Sequence, residues 1–212
     1  MRRTRPERRE PSGWLPLLCC LTVAGVFAPA IAAEPPEPSA VELIEGLLSG
    51  KAPVGGPFEL TDHTGRRRTD VDFRGKLVVL YFGYTSCPDV CPTELQAITL
   101  ALDKLGAAAD QVQPLFITVD PERDTPSRLA DFISAFDPRF VALTGAMPAI
   151  RKAALAYRVY FARPAATAES YPVDHTGFVY LVGADGRYLG FLPPGLAPDA
   201  IADAIRAQLQ PT

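Results

Sequence analysis

The chain has 212 residues, of which 48% are hydrophobic and 21% are charged, and its formal net charge is −3. This length suits one domain with an extension, and the hydrophobic content is typical of a globular protein with its own core. The 22 scattered prolines exclude a collagen-like chain, and the acidic balance excludes the basic face that nucleic acid binding requires.

The first 33 residues differ from the rest in composition. Five arginines within the first nine residues precede an almost wholly apolar stretch at 14–31, and Ala30-Ile31-Ala32 has a small-x-small pattern. This arrangement predicts an export signal that is cut after Ala32 or Ala33. An uncleaved membrane anchor at 14–33 stays open, because the apolar stretch is close to the roughly 20 residues of a spanning helix.

Export has two consequences for the remaining chain. The basic end stays inside, so the domain is expected in the bacterial periplasm, either soluble or anchored to the inner membrane. The segment that follows, 34–50, is predicted to be a tether, with a short helical turn at 41–48, and the domain is predicted to span 51–212. From residue 34 onward the chain has 16 basic and 22 acidic residues, a net charge of −6.

The domain begins with a predicted hairpin, in which strands at 58–60 and 66–69 flank the polar turn 62–65. The nearly continuous apolar run 77–84 predicts a strand that is buried on both faces. A helix is predicted at 92–105 from leucine and isoleucine at helical spacing, with Pro92 in its first turn.

The later elements alternate between strands and helices. They are a strand at 112–119, a helix at 125–136, a strand at 140–143, a helix at 147–157, a hairpin of strands 178–182 and 188–192 about Asp185-Gly186, and a helix at 197–209. This order predicts an α/β fold whose mixed sheet has a parallel centre, added antiparallel strands, and helices on both faces.

Only two of the four cysteines fall outside the export segment, namely Cys87 and Cys91. A disulfide that closes so short a loop stabilises a fold by only about 1–2 kcal/mol, which makes a purely structural role a weak explanation. The pair follows a buried strand and lies at a helix start, where the helix dipole stabilises thiolates. Their i, i+4 spacing lets both sulfurs face one point, for a redox disulfide or a metal.

Two thiolates are soft ligands that favour Cu(I) or Zn(II). Structural zinc takes four protein ligands, which would require both histidines, His63 and His175. Copper(I) accepts two or three ligands, and His175 lies just before a predicted strand, where the fold could bring it to the pair. His63 is expected to be a solvated residue of a polar turn.

Several acidic residues near these positions have local interpretations. Asp89 is expected either to cap the helix that carries Cys91, which is the favoured interpretation, or to tune the thiolates. Asp174 is expected either to orient His175 as a hydrogen-bond acceptor or to be exposed. The segment 120–125 (DPERDT) is interpreted as a polar turn and helix cap ahead of Pro126, without a catalytic role.

Three segments together resemble the signature of the Sco (SenC/PrrC) family. They are GYTSCPDVCPT at 83–93, VDPERDTP at 119–126, and VDHT at 173–176 followed by YLV at 180–182. The resemblance covers residue 53 to the C-terminus. It implies a thioredoxin-like fold, with a mixed β-sheet flanked by helices and an N-terminal β-hairpin extension.

The resemblance also implies a function. Cys87, Cys91 and His175 would be ligands of one copper ion per chain, Cu(I) or Cu(II). The family delivers copper to the CuA site of cytochrome c oxidase subunit II, so that subunit or other copper chaperones are the expected partners of a monomer. Three alternatives remain, all using the cysteine pair: a thiol–disulfide oxidoreductase acting on a partner cuproprotein, a redox sensor, and a peroxidase. A binding protein is expected rather than an enzyme.

Overall fold

A computed structural model describes residues 38–49, 53–163 and 171–209. The predicted export segment, 1–33, and the beginning of the predicted tether lie outside the described residues. Among the described ranges, no helix is both long and apolar enough to cross a membrane.

Nine strands and five α-helices are found in the described residues, together with short 3-10 segments at Asp70–Phe73 and Gly106–Gln111. In chain order the elements are α1 (Ala40–Leu48), β1 (Glu59–Asp62), β2 (Arg67–Thr69), β3 (Leu77–Gly83), α2 (Val90–Leu105), β4 (Val112–Thr118), α3 (Pro126–Ile133), β5 (Val141–Thr144), α4 (Met147–Ala156), β6 (Phe161–Ala162), β7 (Asp174–His175), β8 (Val179–Val182), β9 (Tyr188–Leu192) and α5 (Pro198–Leu209).

Seven of these strands form one mixed sheet in the order β2-β1-β5-β4-β3-β8-β9. The central strands β3, β4 and β5 are parallel, and the hairpins β1–β2 and β8–β9 extend the sheet with antiparallel strands. The predicted mixed sheet and both predicted hairpins are therefore confirmed. Gly186 has φ +84° at the predicted turn of the second hairpin, a conformation that favours glycine.

Strand β3 is buried along its whole length, as its apolar run predicts. Alternate side chains point to opposite faces of the sheet. On one face Tyr81 contacts Cys91 of α2, and on the other the ring of Phe82 packs against Tyr157 at the end of α4. The carboxyl end of β3 therefore opens into the space at the start of α2.

Helix α1 falls within the segment predicted to be a tether and confirms the helical turn expected there. It starts with a capping box, in which the Ser39 hydroxyl accepts the Glu42 backbone N–H and the Glu42 carboxylate accepts the Ser39 N–H. Leu43 and Leu47 are buried, so this segment contributes apolar side chains to the interior.

A second, two-stranded sheet was not predicted. Strand β6 pairs antiparallel with β7, and Phe161 lies opposite His175. Thr176 extends the pairing, because its N–H donates to the Tyr160 carbonyl at 2.9 Å and its hydroxyl accepts the Tyr160 N–H at 3.0 Å. Strands of two residues are too short for a periodic signal, yet this pair determines where His175 lies.

Candidate metal centre

The cysteine pair lies at the junction between β3 and α2. Cys87 is half-buried in the connecting turn, and Cys91 is fully buried in the first turn of α2. Both are free thiols. The Cys91 N–H donates to the Cys87 Sγ at 3.4 Å. The expected placement of the pair at a strand end and a helix start is confirmed.

Gly83, the last residue of β3, leaves the space that the Cys91 sulfur occupies. A methyl group built on Gly83 would lie 2.9 Å from the Cys91 Sγ and 3.0 Å from the rings of Phe116 and Tyr81. Such distances are shorter than van der Waals contact. Any larger residue at Gly83 would therefore displace the sulfur or the aromatic rings around it.

His175 reaches the cysteines from the distant β7 strand. Its Nε2 lies 3.4 Å from the Cys91 Sγ, although 84 positions separate the two residues in the chain. The imidazole is held edge-on by two aromatic rings, with centroid distances of 6.2 Å to Tyr81 and 5.9 Å to Tyr84. The structure thus places His175 against Cys91, whose N–H in turn contacts the Cys87 sulfur.

The hydrogen bond at the other ring nitrogen determines the tautomer of His175. Its Nδ1 lies 3.1 Å from the Thr176 carbonyl oxygen, which can only accept, so Nδ1 carries the proton. Burial lowers the pKa of His175 and favours the neutral imidazole. The Nε2 lone pair therefore faces the Cys91 sulfur. Asp174 is exposed, which confirms the second of the two expectations for it, and Thr176 rather than Asp174 supplies the acceptor for Nδ1.

The two thiols have opposite acidities. Burial raises the pKa of Cys91 to about 12. Burial also acts to raise the pKa of Cys87, but the N–H groups of Cys91, Asp89 and Val90 favour its thiolate and lower the pKa below its ordinary value. Cys87 is therefore the more acidic thiol of the pair, while Cys91 keeps its proton and donates it toward the Nε2 of His175.

This difference predicts the order of thiol alkylation in the reduced, metal-free protein. Only thiolates react with iodoacetamide, so at pH 7.5 Cys87 should be labelled at least about tenfold faster than Cys91. Raising the pH deprotonates more of each thiol, and labelling of Cys91 should become appreciable only as the pH approaches its raised pKa of about 12. Peptide mass spectrometry after timed labelling measures both rates. Equal labelling of the two cysteines at pH 7.5 would contradict the assignment.

The donor set fits a soft metal ion. Two sulfurs and one neutral imidazole nitrogen suit copper, and no described contact places His63 with them. His63 occupies the predicted turn, but it is half-buried rather than simply solvated, because its Nδ1 accepts the Ala142 N–H at 3.2 Å. Across 38–49, 53–163 and 171–209, no three His, Cys, Asp or Glu side chains are already clustered as a metal site. The Cys87 sulfur, which faces the Cys91 N–H, would have to turn toward His175 to complete one.

A buried polar network holds the turn that carries Cys87. The Asp124 carboxylate, which is fully buried, accepts the Thr85 N–H at 3.0 Å and the hydroxyls of Thr85 and Thr118, each at 2.6 Å. Arg128 Nε donates to the Thr85 hydroxyl at 3.2 Å. Because Thr85 is two residues before Cys87, Asp124 fixes the start of the cysteine turn.

A second buried carboxylate, Asp120, holds the segment that leads to His175. It accepts the Tyr171 hydroxyl at 2.9 Å and forms an ion pair with Arg123. Arg123 in turn donates to the Tyr171 carbonyl at 3.0 Å, and its guanidinium lies 3.7 Å from the centre of the Tyr171 ring. Asp124 thus holds the turn that carries Cys87, and Asp120 holds the segment that leads to His175. The loop that carries both aspartates therefore contacts both sides of the candidate site.

The polar-turn interpretation of 120–125 is correct for Thr125, whose hydroxyl caps α3 by accepting the Arg128 N–H at 3.2 Å. It missed the burial of Asp120 and Asp124. One signal was available, since both aspartates follow a buried strand that is parallel to the one before Cys87, and such strand ends share one edge.

Asp89 occupies the N-cap position of α2, but its side chain makes no capping hydrogen bond, so the predicted capping is wrong.

Comparisons with known proteins identify the same family that the motifs resemble. The family model described as SCO1/SenC matches residues 48–210. The human mitochondrial SCO1 homolog is 37% identical over 212 residues, which cover 98% of this chain and 70% of that protein. The mouse mitochondrial SCO1 homolog is 42% identical over 164 residues, which cover 76% of this chain but only 58% of that protein.

A solved structure supports the fold assignment. The structure of Bradyrhizobium japonicum ScoI, solved with copper bound, is 41% identical and superposes with a TM-score of 0.69 over 74% of this chain and 99% of that one. The predicted thioredoxin-like architecture is therefore confirmed.

Proposed function

Because this chain belongs to the SCO1/SenC family, we propose that it is a copper-binding protein of cytochrome c oxidase assembly whose ligands are Cys87, Cys91 and His175. The observation that carries the proposal is the 3.4 Å contact between the Cys91 Sγ and the His175 Nε2, beside a second thiol one helical turn away. The copper bound to the related ScoI protein supports copper as the ion. Copper is the cargo of this site.

The electrostatics of the pair suit reversible capture of copper. Cys87 is the more acidic thiol and His175 offers a free Nε2 lone pair, whereas Cys91, whose pKa is raised, must lose its proton when copper binds. Copper binding therefore releases a proton, and its affinity should rise with pH. The aromatic rings of Tyr81 and Tyr84 restrict water on the inner side of the site, where Cu(I) would bind.

An open cleft gives the site a route to a partner. The cleft has a volume of about 340 Å³ and runs beside Cys87 and His175, between the cysteine turn and the 172–177 segment. Cys87 and His175 are both half-buried and line this cleft, while Cys91 is enclosed. We propose that a partner takes copper from this side and that the partner is the CuA domain of cytochrome c oxidase subunit II.

Copper titration of the reduced full chain tests the binding proposal. One Cu(I) per chain is expected under anaerobic conditions, with a plateau in the thiolate-to-copper absorption at one equivalent. The Cys87→Ser/Cys91→Ser double variant, which keeps the size of both side chains, serves as the control and should show no such absorption. A wild-type chain that binds no Cu(I) at one equivalent would refute the proposal.

Delivery is tested separately from binding. Deletion of the gene should lower cytochrome c oxidase activity, and added copper should restore it if the protein supplies the metal. In vitro, the copper-loaded chain should generate the CuA absorption in metal-free, reduced subunit II domain. A deletion strain with normal oxidase activity would refute the assembly role.

The unequal acidities favour one alternative, a thiol–disulfide oxidoreductase acting on a partner's cysteines. The Cys87 thiolate would attack one sulfur of a partner disulfide and release the other as a thiolate. Cys91 would then lose its proton to His175 and displace the partner, so that the partner gains two electrons and Cys87–Cys91 becomes a disulfide. The reduction potential discriminates, because a potential far below the roughly −270 mV of thioredoxin favours a reductant and excludes an oxidant.

The cellular location belongs to the same proposal. The arginine-rich start and the apolar stretch 14–31 support export to the bacterial periplasm, as a soluble or an anchored protein. The intact mass of the mature protein would distinguish the two, because cleavage after Ala32 or Ala33 removes the apolar stretch. A protein that keeps this stretch and remains inside the cell would refute export.

A further inference from the structure

Glu94 is a buried acidic residue that the proposed copper site does not use. It lies on α2 just under one turn after Cys91, and it is 2% exposed. One carboxyl oxygen, Oε1, accepts the Gly195 N–H. No group in the described residues hydrogen bonds to the other oxygen, Oε2. Burying a carboxyl group with an unpaired oxygen costs free energy. The position of Glu94 so close to Cys91 in the chain therefore suggests that it contributes to the site.

The loop that Glu94 holds is the one that packs against the His175 loop. Gly195 lies between β9 and α5, and its neighbour Pro194 lies over Gly177. A methyl group built on Gly177 would lie 3.6 Å from the Pro194 Cβ, an ordinary packing distance. Gly177 is two residues after His175. The helix of Cys91 is therefore joined, through the Glu94–Gly195 hydrogen bond, to a loop whose Pro194 lies close to the loop of His175.

Tyr81 joins Cys91 to His175 on the side of the sheet. The Tyr81 hydroxyl donates to the Cys91 Sγ at 3.9 Å, and its ring packs edge-on against His175. The alignment of His175 can therefore be followed through its distance from the Tyr81 ring.

We infer that Glu94 is a positioning residue for the Cys91–His175 pair, which it aligns by fastening the 194–195 loop to α2. Its predicted effect on copper rests on the proposed function, but its effect on the geometry of His175 does not. The group that matters is the oxygen that accepts the Gly195 N–H, rather than the negative charge.

Two substitutions separate the acceptor from the charge. Glu94→Ala removes the acceptor, so the 194–195 loop should shift and His175 should lose its alignment. Copper affinity should fall by about 10–100-fold, the range for residues that orient metal ligands. Glu94→Gln keeps an acceptor oxygen and should retain copper affinity within about threefold. If the negative charge mattered instead, Glu94→Gln would lose copper affinity as Glu94→Ala does.

Two measurements on the full chain test the inference. Copper affinity is obtained by competition with a chromophoric Cu(I) chelator. The geometry is obtained without copper, from the nuclear Overhauser effect between ring protons of His175 and Tyr81 in the reduced protein. This signal should be present in the wild type and in Glu94→Gln and lost in Glu94→Ala.

The matched control is Asp62→Asn, which alters another buried carboxylate, at the end of β1. It should lower stability but leave both measurements unchanged. If Glu94→Ala fails to fold, Pro194→Gly decides, because Pro194 is exposed and glycine lacks both the Cβ and the Cγ that lie over Gly177. Loss of the His175–Tyr81 signal in Pro194→Gly would support the inference.

The inference is overturned if folded Glu94→Ala keeps both the His175–Tyr81 signal and wild-type copper affinity. If Pro194→Gly is the deciding variant, an unchanged His175–Tyr81 signal overturns the inference. A wild-type chain that binds no copper would refute the proposed function instead. The nuclear Overhauser measurement would still decide the role of Glu94 in that case.

Discussion

Replacing His175 with alanine is expected to weaken Cu(I) binding by more than about 100-fold. The imidazole supplies the nitrogen ligand, and its Nε2 lies 3.4 Å from the Cys91 Sγ. Loss of a residue that only orients a metal ligand already costs about 10–100-fold in affinity, so loss of a ligand itself should cost more. Competition with a chromophoric chelator at fixed pH measures the change.

The other histidine of the chain provides the matched control. His63 lies in the β1–β2 turn, where its Nδ1 accepts the Ala142 N–H at 3.2 Å. His63→Ala should lower the free energy of unfolding by about 1 kcal/mol, the usual contribution of one hydrogen bond, and leave copper affinity unchanged. Unchanged affinity in His175→Ala would refute the three-ligand site. A large loss of metal affinity in His63→Ala would instead favour a four-ligand zinc site that uses both histidines.

Replacing Asp124 with alanine is expected to lower the free energy of unfolding by about 3–5 kcal/mol. The Asp124 carboxylate is fully buried and accepts three hydrogen bonds, two from Thr85 and one from Thr118. Alanine leaves these donors buried without an acceptor, which is among the largest effects of single substitutions. Urea denaturation of the reduced, metal-free chain measures the change.

Asp131→Ala is the control for this prediction. Asp131 is exposed on α3, the helix that follows Asp124, so its loss should change stability by no more than about 0.5 kcal/mol. Asp124→Asn keeps one acceptor oxygen and should have an intermediate stability. If Asp124→Ala were as stable as Asp131→Ala, the network would not hold the cysteine turn.

Local patterns determined most of the fold. The apolar run of β3, the leucine and isoleucine spacing of α2 and the Asp185-Gly186 turn each describe a few neighbouring residues, and each is confirmed. Errors at this level are small. Helix α2 starts at Val90, two residues before the predicted start, and α3 ends at Ile133, three residues before the predicted end.

The sequence also determined the candidates for the site. The spacing of Cys87 and Cys91, at a strand end and a helix start, follows from adjacent residues and needs no tertiary information. The pairing of their sulfurs with His175 was only a hypothesis at that level. It depends on the β6–β7 ribbon, whose strands have two residues each and carry no periodic signal.

Tertiary structure alone decided the chemistry within the site. The pKa of Cys91 is raised because the sheet and α2 enclose its sulfur, whereas Cys87 receives the N–H groups at the start of the helix. Likewise, Asp120, Asp124 and Glu94 look like surface residues in the sequence but are buried in the fold. Local spacing specifies helices and strands. Burial and long-range contacts depend instead on the order of the strands in the sheet and on the positions of the loops that connect them. Burial and those contacts together set the pKa and the alignment of each proposed ligand.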